Sequence, residues 1–401
     1  MRRGSGIRVN PGLLTLSFFS PVAHPPLPRS GGVILRLPLL SGRAMKQRIR
    51  YVVADDQVQL AWAEIGHGPP LVKAATWLTH LQYDLESPVW AHWIRFFGEH
   101  FHYIRYDERG CGMSDWRSED LSLPRWVDDL ETVVAAAELD QPFALLGISQ
   151  GAATAIGYAV RHPQRVSHLI LYGGYAVGAN RSEDPDRRAF YNAVMGVVGL
   201  GWGSRNPTFR QLFTSRFVPQ GSHEQLDWFN ELCRRTTSPR NARELLEARG
   251  NVDVRDLLAK VSVPTLVVHS VHDQIAPVSQ GRFLASHIAG AAFVELDSHN
   301  HVLLEQEPAW KQFRDAVLEF TGRSRADGAS QATAAASLTE REHMTLGLLR
   351  EGRSNAQIAW ELGIAEKTVR NHLTNLYRKL GVRSRAEAIV LGHRHQSGPS
   401  G

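Results

Sequence analysis

Cysteine is almost missing from this chain: Cys111 and Cys233 are the only two among 401 residues. Two thiols make neither a disulfide framework nor a cysteine-rich metal site. A reducing, cytoplasmic setting is therefore the default, and no metal or other cofactor is called for. A long apolar span is missing too. The uncharged run ALLGISQGAATAIGYAV (144–160) approaches the length of a bilayer span. Its glycines, Ser149 and Gln150 instead fit a strand, a turn and a helix, so no membrane partner is expected. Acid is missing from the first 54 residues, which hold nine Arg/Lys and no Asp or Glu.

That last absence changes the meaning of the net charge of +5. Residues 55–337 hold 26 bases against 34 acids, and residues 338–401 hold ten bases against six acids. Only the final segment is a compact basic unit; the rest of the basicity belongs to the N-terminal tail. Residues 1–44 are rich in Arg, Pro, Gly and Ser without sustained periodicity, and read as a disordered or mis-started extension. Their apolar patch LLTLSFF (13–19) is like a weak signal-peptide core, but SPVAHPP is a poor cleavage site. Strand character begins at Met45, and a start there would remove six arginines and bring the charge to −1. A hydrophobic fraction of 43% and a charged fraction of 21% are ordinary for a soluble globular protein, and the length allows two domains.

Within residues 45–322, QPFALLGISQGAATAIGYAVRHP reads as a buried strand from Phe143, a turn, and a small-residue helix ending before Pro163. The turn Gly147-Ile148-Ser149-Gln150-Gly151 is a G-x-S-x-G. A serine on a sharp strand-to-helix turn needs small residues on both sides, because side chains there would meet neighbouring backbone. In a chain with 34 glycines the motif alone is weak evidence. Its context strengthens it. HYIRYDERGCGMSD (102–115) runs from a strand into a glycine-rich turn; VSVPTLVVHSVHDQIAP (261–277) delivers Asp273 in a loop; and AFVELDSHNH ends on His299 and His301. Strands alternating with helical stretches imply a mostly parallel sheet covered on both faces. A serine hydroxyl is a poor nucleophile at neutral pH. It requires an imidazole to take its proton and a carboxylate to fix that imidazole's tautomer. Asp107, Arg109 and Asp115 read as a structural network beside the turn.

Through RYDERGCGMSDW, LLGISQG, HDQIAP and NHVLLEQEP, residues 48–322 resemble an α/β-hydrolase-fold domain. The resemblance implies a mostly parallel sheet with helices on both faces and a helical lid at about 178–257. It implies a Ser149–Asp273–His301 triad, because the family's histidine often stands seven positions before a proline, as His301 does before Pro308. His299 then becomes a loop residue. The family's glutamate of that segment is displaced here, with Gln306 in its place and Glu305 and Glu307 beside it. The backbone N–H groups of Gln150 and Trp77 are the implied oxyanion hole. Many relatives carry His-Gly where this chain has Ala75-Thr76, which puts the direction of the Trp77 donor in question. Most lid aromatics should be core, with a few lining an apolar pocket for a small acyl-type ligand.

Residues 323–337 are Ala/Ser/Gly-rich and read as a linker, followed by a small all-α unit over 338–396. Thr339 with Glu342, Ser354 with Gln357, and Ser384 with Glu387 mark three helix starts. Gly352 and Gly381 mark helix ends, and Gly363 begins the turn of a helix-turn-helix. In the helix after that turn, Val369, Leu373, Leu376 and Leu380 form the core face. Lys367, Thr368, Arg370, Asn371, Thr374 and Arg378 remain for base edges and phosphates. LTEREHMTLGLLREG, SNAQIAWELGIAEKTVRNHL and YRKLGVRSRAEAI resemble the LuxR-type DNA-binding domain. One departure is Ala365, where that family often has a capping serine. The resemblance implies double-stranded DNA as partner and a homodimer formed through about residues 384–394. The two parts together imply a transcriptional regulator whose hydrolase domain binds, and cleaves, a small ester, lactone or related acyl compound. A non-catalytic sensor, or a serine hydrolase with a secondary DNA-binding tail, are the other readings.

Overall fold

The computed structural model describes residues 33–37, 45–204, 206, 208–323, 340–350, 353–364, 368, 369, 373 and 376. The strands are β1 (Val33–Leu37), β2 (Met45–Val53), β3 (Gln59–Ile65), β4 (Pro70–Lys73), β5 (His102–Tyr106), β6 (Phe143–Ile148), β7 (Val166–Tyr172), β8 (Thr265–Ser270) and β9 (Ala292–Leu296). They form one sheet in the order β1-β2-β3-β5-β4-β6-β7-β8-β9. The first four neighbours pair antiparallel, and everything from β5 through β4 to β9 is parallel. The strand Val33–Leu37 corrects one reading. These residues lie inside the tail assigned to residues 1–44 as extension, yet they pair with Met45–Ile49 as an edge strand. VILRL is apolar enough to take an open edge, although its flanks carry no strand signal.

The parallel strands are apolar on both faces because helices cover both. FALLGI of β6 and TLVVHS of β8 are buried at every residue. Helices α1 (Ala91–His100), α2 (Leu123–Ala136) and α3 (Gly151–Arg161) accompany the strands up to β7. Between β7 and β8 lie the lid helices α4 (Pro185–Gly201), α5 (Thr208–Thr214), α6 (His223–Thr236) and α7 (Pro239–Gly250), and then the short α8 (Arg255–Leu258). Helices α9 (Val278–His287) and α10 (Pro308–Phe320) follow β8 and β9. Helix starts follow local chemistry. Ser122, Asp184 and Ser238 cap α2, α4 and α7 with a proline in the first turn, and Ser222 with Gln225 closes a capping box on α6. No helix among the described residues is long and apolar enough to cross a membrane.

The small domain shows α11 (Glu340–Arg350) and α12 (Asn355–Leu362). Ser354 and Gln357 form the expected capping box, and Gly363 ends α12 in a left-handed conformation at φ 65°. Leu349, Ile358, Val369, Leu373 and Leu376 make a separate core. Glu342 lies in the first turn of α11, whereas Thr339, Gly352, Gly381, Ser384, Glu387 and the segment 384–394 lie outside the described residues.

Candidate active site

The site lies at the carboxyl ends of β6, β8 and β9, where open α/β sheets place ligands. Ser149 directly follows β6 and holds φ at 53°, a conformation an ordinary side chain resists at a cost of about 1–3 kcal/mol. The turn is pinned on both sides. Ser149 N–H donates to the Tyr172 carbonyl at 2.8 Å, and Ala152 N–H donates to the Ser149 carbonyl at 3.1 Å. A Cβ at Gly147 would stand 2.7 Å from Ala152 Cα. One at Gly151 would stand 3.1 Å from the carbonyl oxygens of Ala74 and Ala75. Both glycines are therefore needed for backbone approach.

Asp273 and His301 meet although 28 residues separate them. His301 Nδ1 lies 2.6 Å from Asp273 Oδ2, with both side chains buried. Asp273 Oδ1 accepts from the amides of Ile275 at 2.7 Å and Ala276 at 3.0 Å. Burial pushes the Asp273 carboxyl up, but the His301 imidazole, with His269 and the Ala276 amide, outweighs it and holds it below the usual carboxylate range. His301 Nε2 is buried and has no hydrogen-bond partner among the described residues. Ser149 Oγ approaches Gln150 Oε1 at 3.5 Å. His299 points elsewhere: it is exposed and stacks on His272 with ring centres 4.3 Å apart.

The loop carrying His301 is held by partners the sequence reading did not assign. Glu307 accepts from Ser298 Oγ at 2.6 Å, Asn300 Nδ2 at 3.3 Å and the Leu304 amide. The displaced glutamate is thus present one residue later, joining both limbs of the loop. From α1, His92 Nε2 lies 2.9 Å and Trp93 Nε1 3.0 Å from the Leu303 carbonyl. With a carbonyl as partner, His92 Nε2 must carry the proton. Burial lowers the His92 pKa to about 4.

Ser149, Gln150, Trp77 and His301 line one narrow cavity of about 20 Å³, together with Trp90, Phe217 and Phe229. The Trp77 and Gln150 amides donate to no protein acceptor among the described residues. Gly151 packs against the Ala74–Ala75 carbonyls, which brings the Trp77 loop against the serine turn. Trp77 is clamped from the lid: its ring stacks on Trp202 at 5.3 Å and meets Phe213 edge-on at 5.8 Å. Phe229 and Trp202 are buried, whereas Phe190 and Phe209 are exposed.

Arg249 of α7 was also unassigned. It pairs with buried Glu108, donates to the Gln150 carbonyl at 3.3 Å and lies 3.3 Å over the Trp126 ring. Its signal was available: Ala242, Leu245, Leu246 and Arg249 share the buried face of α7. Asp107 accepts from Thr79 Oγ1 and the amides of Leu81 and Met113. Arg109 is paired with Asp129 and Asp56 at 2.6 Å each, and Asp115 accepts from the Gln59 amide. All three are committed to structure. Of the expected DNA contacts, Thr368 is half-buried; Lys367, Arg370, Asn371, Thr374 and Arg378 lie outside the described residues.

A mostly parallel sheet, a serine on a strained strand-to-helix turn and a helical insertion after β7 define an α/β hydrolase. Residues 92–308, more than half of the chain, match the family model described as serine aminopeptidase, S33, and the chain belongs to that family. Residues 336–391 match the model for bacterial regulatory proteins of the luxR family, a LuxR-type DNA-binding domain. The AB hydrolase superfamily protein YisY of Bacillus subtilis is 27% identical over 269 residues, covering 64% of this chain and 94% of that protein. The 3-oxoadipate enol-lactonase 2 of Acinetobacter baylyi is 26% identical over 234 residues, covering 58% of this chain and 84% of that protein. An esterase structure from Exiguobacterium antarcticum superposes with a TM-score of 0.58 at 23% identity, covering 68% of this chain and 98% of that one.

Proposed function

We propose that the chain is a cytoplasmic, DNA-binding transcriptional regulator whose hydrolase domain binds and cleaves a small ester, lactone or related acyl compound. The reading rests above all on His301. Its Nδ1 is committed to Asp273 at 2.6 Å while its Nε2 is unpartnered in the cavity that Ser149 lines. In the proposed reaction Nε2 takes the Ser149 proton as Oγ attacks the carbonyl carbon, and Asp273 stabilises the imidazolium. The Gln150 and Trp77 amides receive the oxyanion, each such donor contributing about 3 kcal/mol. His301 then protonates the departing alcohol, and water releases the acyl group by the reverse sequence. The named lactonase among the relatives supports an ester or lactone as the substrate class. Lys367, Thr368, Arg370, Asn371, Thr374 and Arg378 would contact DNA in a homodimer.

Labelling with a fluorophosphonate tests the catalytic step. Wild type should be labelled at Ser149, and Ser149→Ala should not. A second reading is a non-catalytic sensor, favoured by one observation: Ser149 Oγ turns toward Gln150 Oε1 rather than His301. An unlabelled wild type whose DNA affinity still responds to an acyl ligand would select that reading.

A further inference from the structure

Beside the nucleophile cavity lies a second one of about 70 Å³, and the two share Trp77, Gln150 and Phe217 as walls. Its other walls include the aromatic rings of Tyr175, Tyr191 and Phe213 and the aliphatic Val194, Leu246 and Ile275. It also receives three arginines from the lid, Arg187 of α4, Arg216 just after α5 and Arg249 of α7, and no acid lines it.

The three cations differ. Arg249 is neutralised by Glu108. Arg187 makes no ion pair or side-chain hydrogen bond among the described residues. Among the described residues Arg216 donates only to the Gln274 carbonyl, at 2.6 Å, and lies over the Phe190 ring at 4.7 Å. Two acids act on them from a distance, and both are already engaged. Asp184 caps α4 by accepting from the Asp186 and Arg187 amides, and Asp273 holds His301. Burial lowers the pKa of both arginines from the usual guanidinium value. Two half-buried positive charges thus face a largely apolar space with no acid in its walls, next to the proposed reacting centre. Removing a charge from water without a partner is costly, and a ligand carboxylate would offset that cost through charge-assisted hydrogen bonds.

We propose that the compound cleaved at Ser149 carries a second, anionic group, a carboxylate remote from the scissile carbonyl, which Arg187 and Arg216 receive in this adjoining cavity. The inference rests on the hydrolase reading and narrows it to monoesters or lactones of dicarboxylic acids.

The test compares p-nitrophenyl monoesters of the four- to seven-carbon dicarboxylic acids with neutral p-nitrophenyl esters of the same chain length, using the full chain. At least one monoester should exceed its neutral counterpart in kcat/KM by tenfold or more. In Arg187→Gln and Arg216→Gln that ratio should fall at least tenfold, mainly through KM. A neutral ester equally good or better at every length overturns the proposal, as does a ratio insensitive to both substitutions. If no ester of either kind is turned over, the catalytic reading fails, and calorimetry on Ser149→Ala decides the subsite separately. Glutarate or adipate binding that Arg187→Gln weakens tenfold supports it; no binding of any dicarboxylate overturns it.

Discussion

Asp273→Asn should abolish turnover for a reason visible in the geometry. In wild type, Asp273 Oδ1 accepts two amides, from Ile275 and Ala276, while Oδ2 accepts the proton on His301 Nδ1 at 2.6 Å. An asparagine has only one oxygen. The two amides cannot be served by an NH2 group, so the oxygen stays at the δ1 position and the NH2 faces His301. An amide donor there requires Nδ1 to accept, which moves the imidazole proton to Nε2. Nε2 then has no lone pair with which to take the Ser149 proton. Imposing that wrong tautomer costs about 10⁴ in kcat, or roughly 5.4 kcal/mol in the barrier. The assay is kcat on p-nitrophenyl acetate, with thermal melting to confirm that Asp273→Asn folds. A folded Asp273→Asn protein within tenfold of wild-type kcat would refute the assignment of Asp273.

Four further outcomes follow from the same geometry. His301→Ala should lose at least a thousandfold in kcat, whereas His299→Ala should stay within about threefold; steady-state kinetics on one ester separates them. Gly147→Ala places a Cβ 2.7 Å from Ala152 Cα, and should cost about 1–3 kcal/mol in urea denaturation. His92 stays neutral in the fold down to pH about 4 while the unfolded chain protonates near 6.5. The unfolded state therefore binds more protons in that window, and stability falls as pH drops from 6.5 to 4, by roughly 3 kcal/mol from this group alone. His92→Gln should flatten that part of the stability profile. Lys367→Ala with Arg370→Ala should weaken DNA binding, and the slope of log K against log salt should shrink by about 1 for each phosphate no longer neutralised.

The legible parts of this molecule were those in which one local rule controls the outcome. The G-x-S-x-G turn was readable because strand, turn and helix each leave a mark within 20 residues, and the clashes at Gly147 and Gly151 give its physical reason. The Ser354 capping box and the Gly363 turn were readable for the same cause. Partners chosen by tertiary approach were not. Nothing local ties Glu307 to Ser298 and Asn300, or His92 to a carbonyl 211 residues away. Arg249 lies between these cases: its place on the apolar face of α7 marks it as buried, but its bond to the Gln150 carbonyl depends on how the lid packs. Val33–Leu37 failed differently, since an edge strand among prolines and arginines has no pattern beyond five residues.

The lid does more than cover the site. The Phe217 carbonyl, just after α5, accepts from the amides of both His301 and Val302, at 2.8 and 3.1 Å. The Gln220 amide donates to Asn300 Oδ1 at 3.1 Å, so the same segment grips the histidine loop twice. Arg249 from α7 grips the serine turn through the Gln150 carbonyl. The loop of His301 and the turn of Ser149 are therefore each fastened to the segment between β7 and β8 as well as to the sheet. Phe217 also lines the cavity that Ser149 and His301 share, so the segment that bonds to the histidine loop is part of the wall of the site.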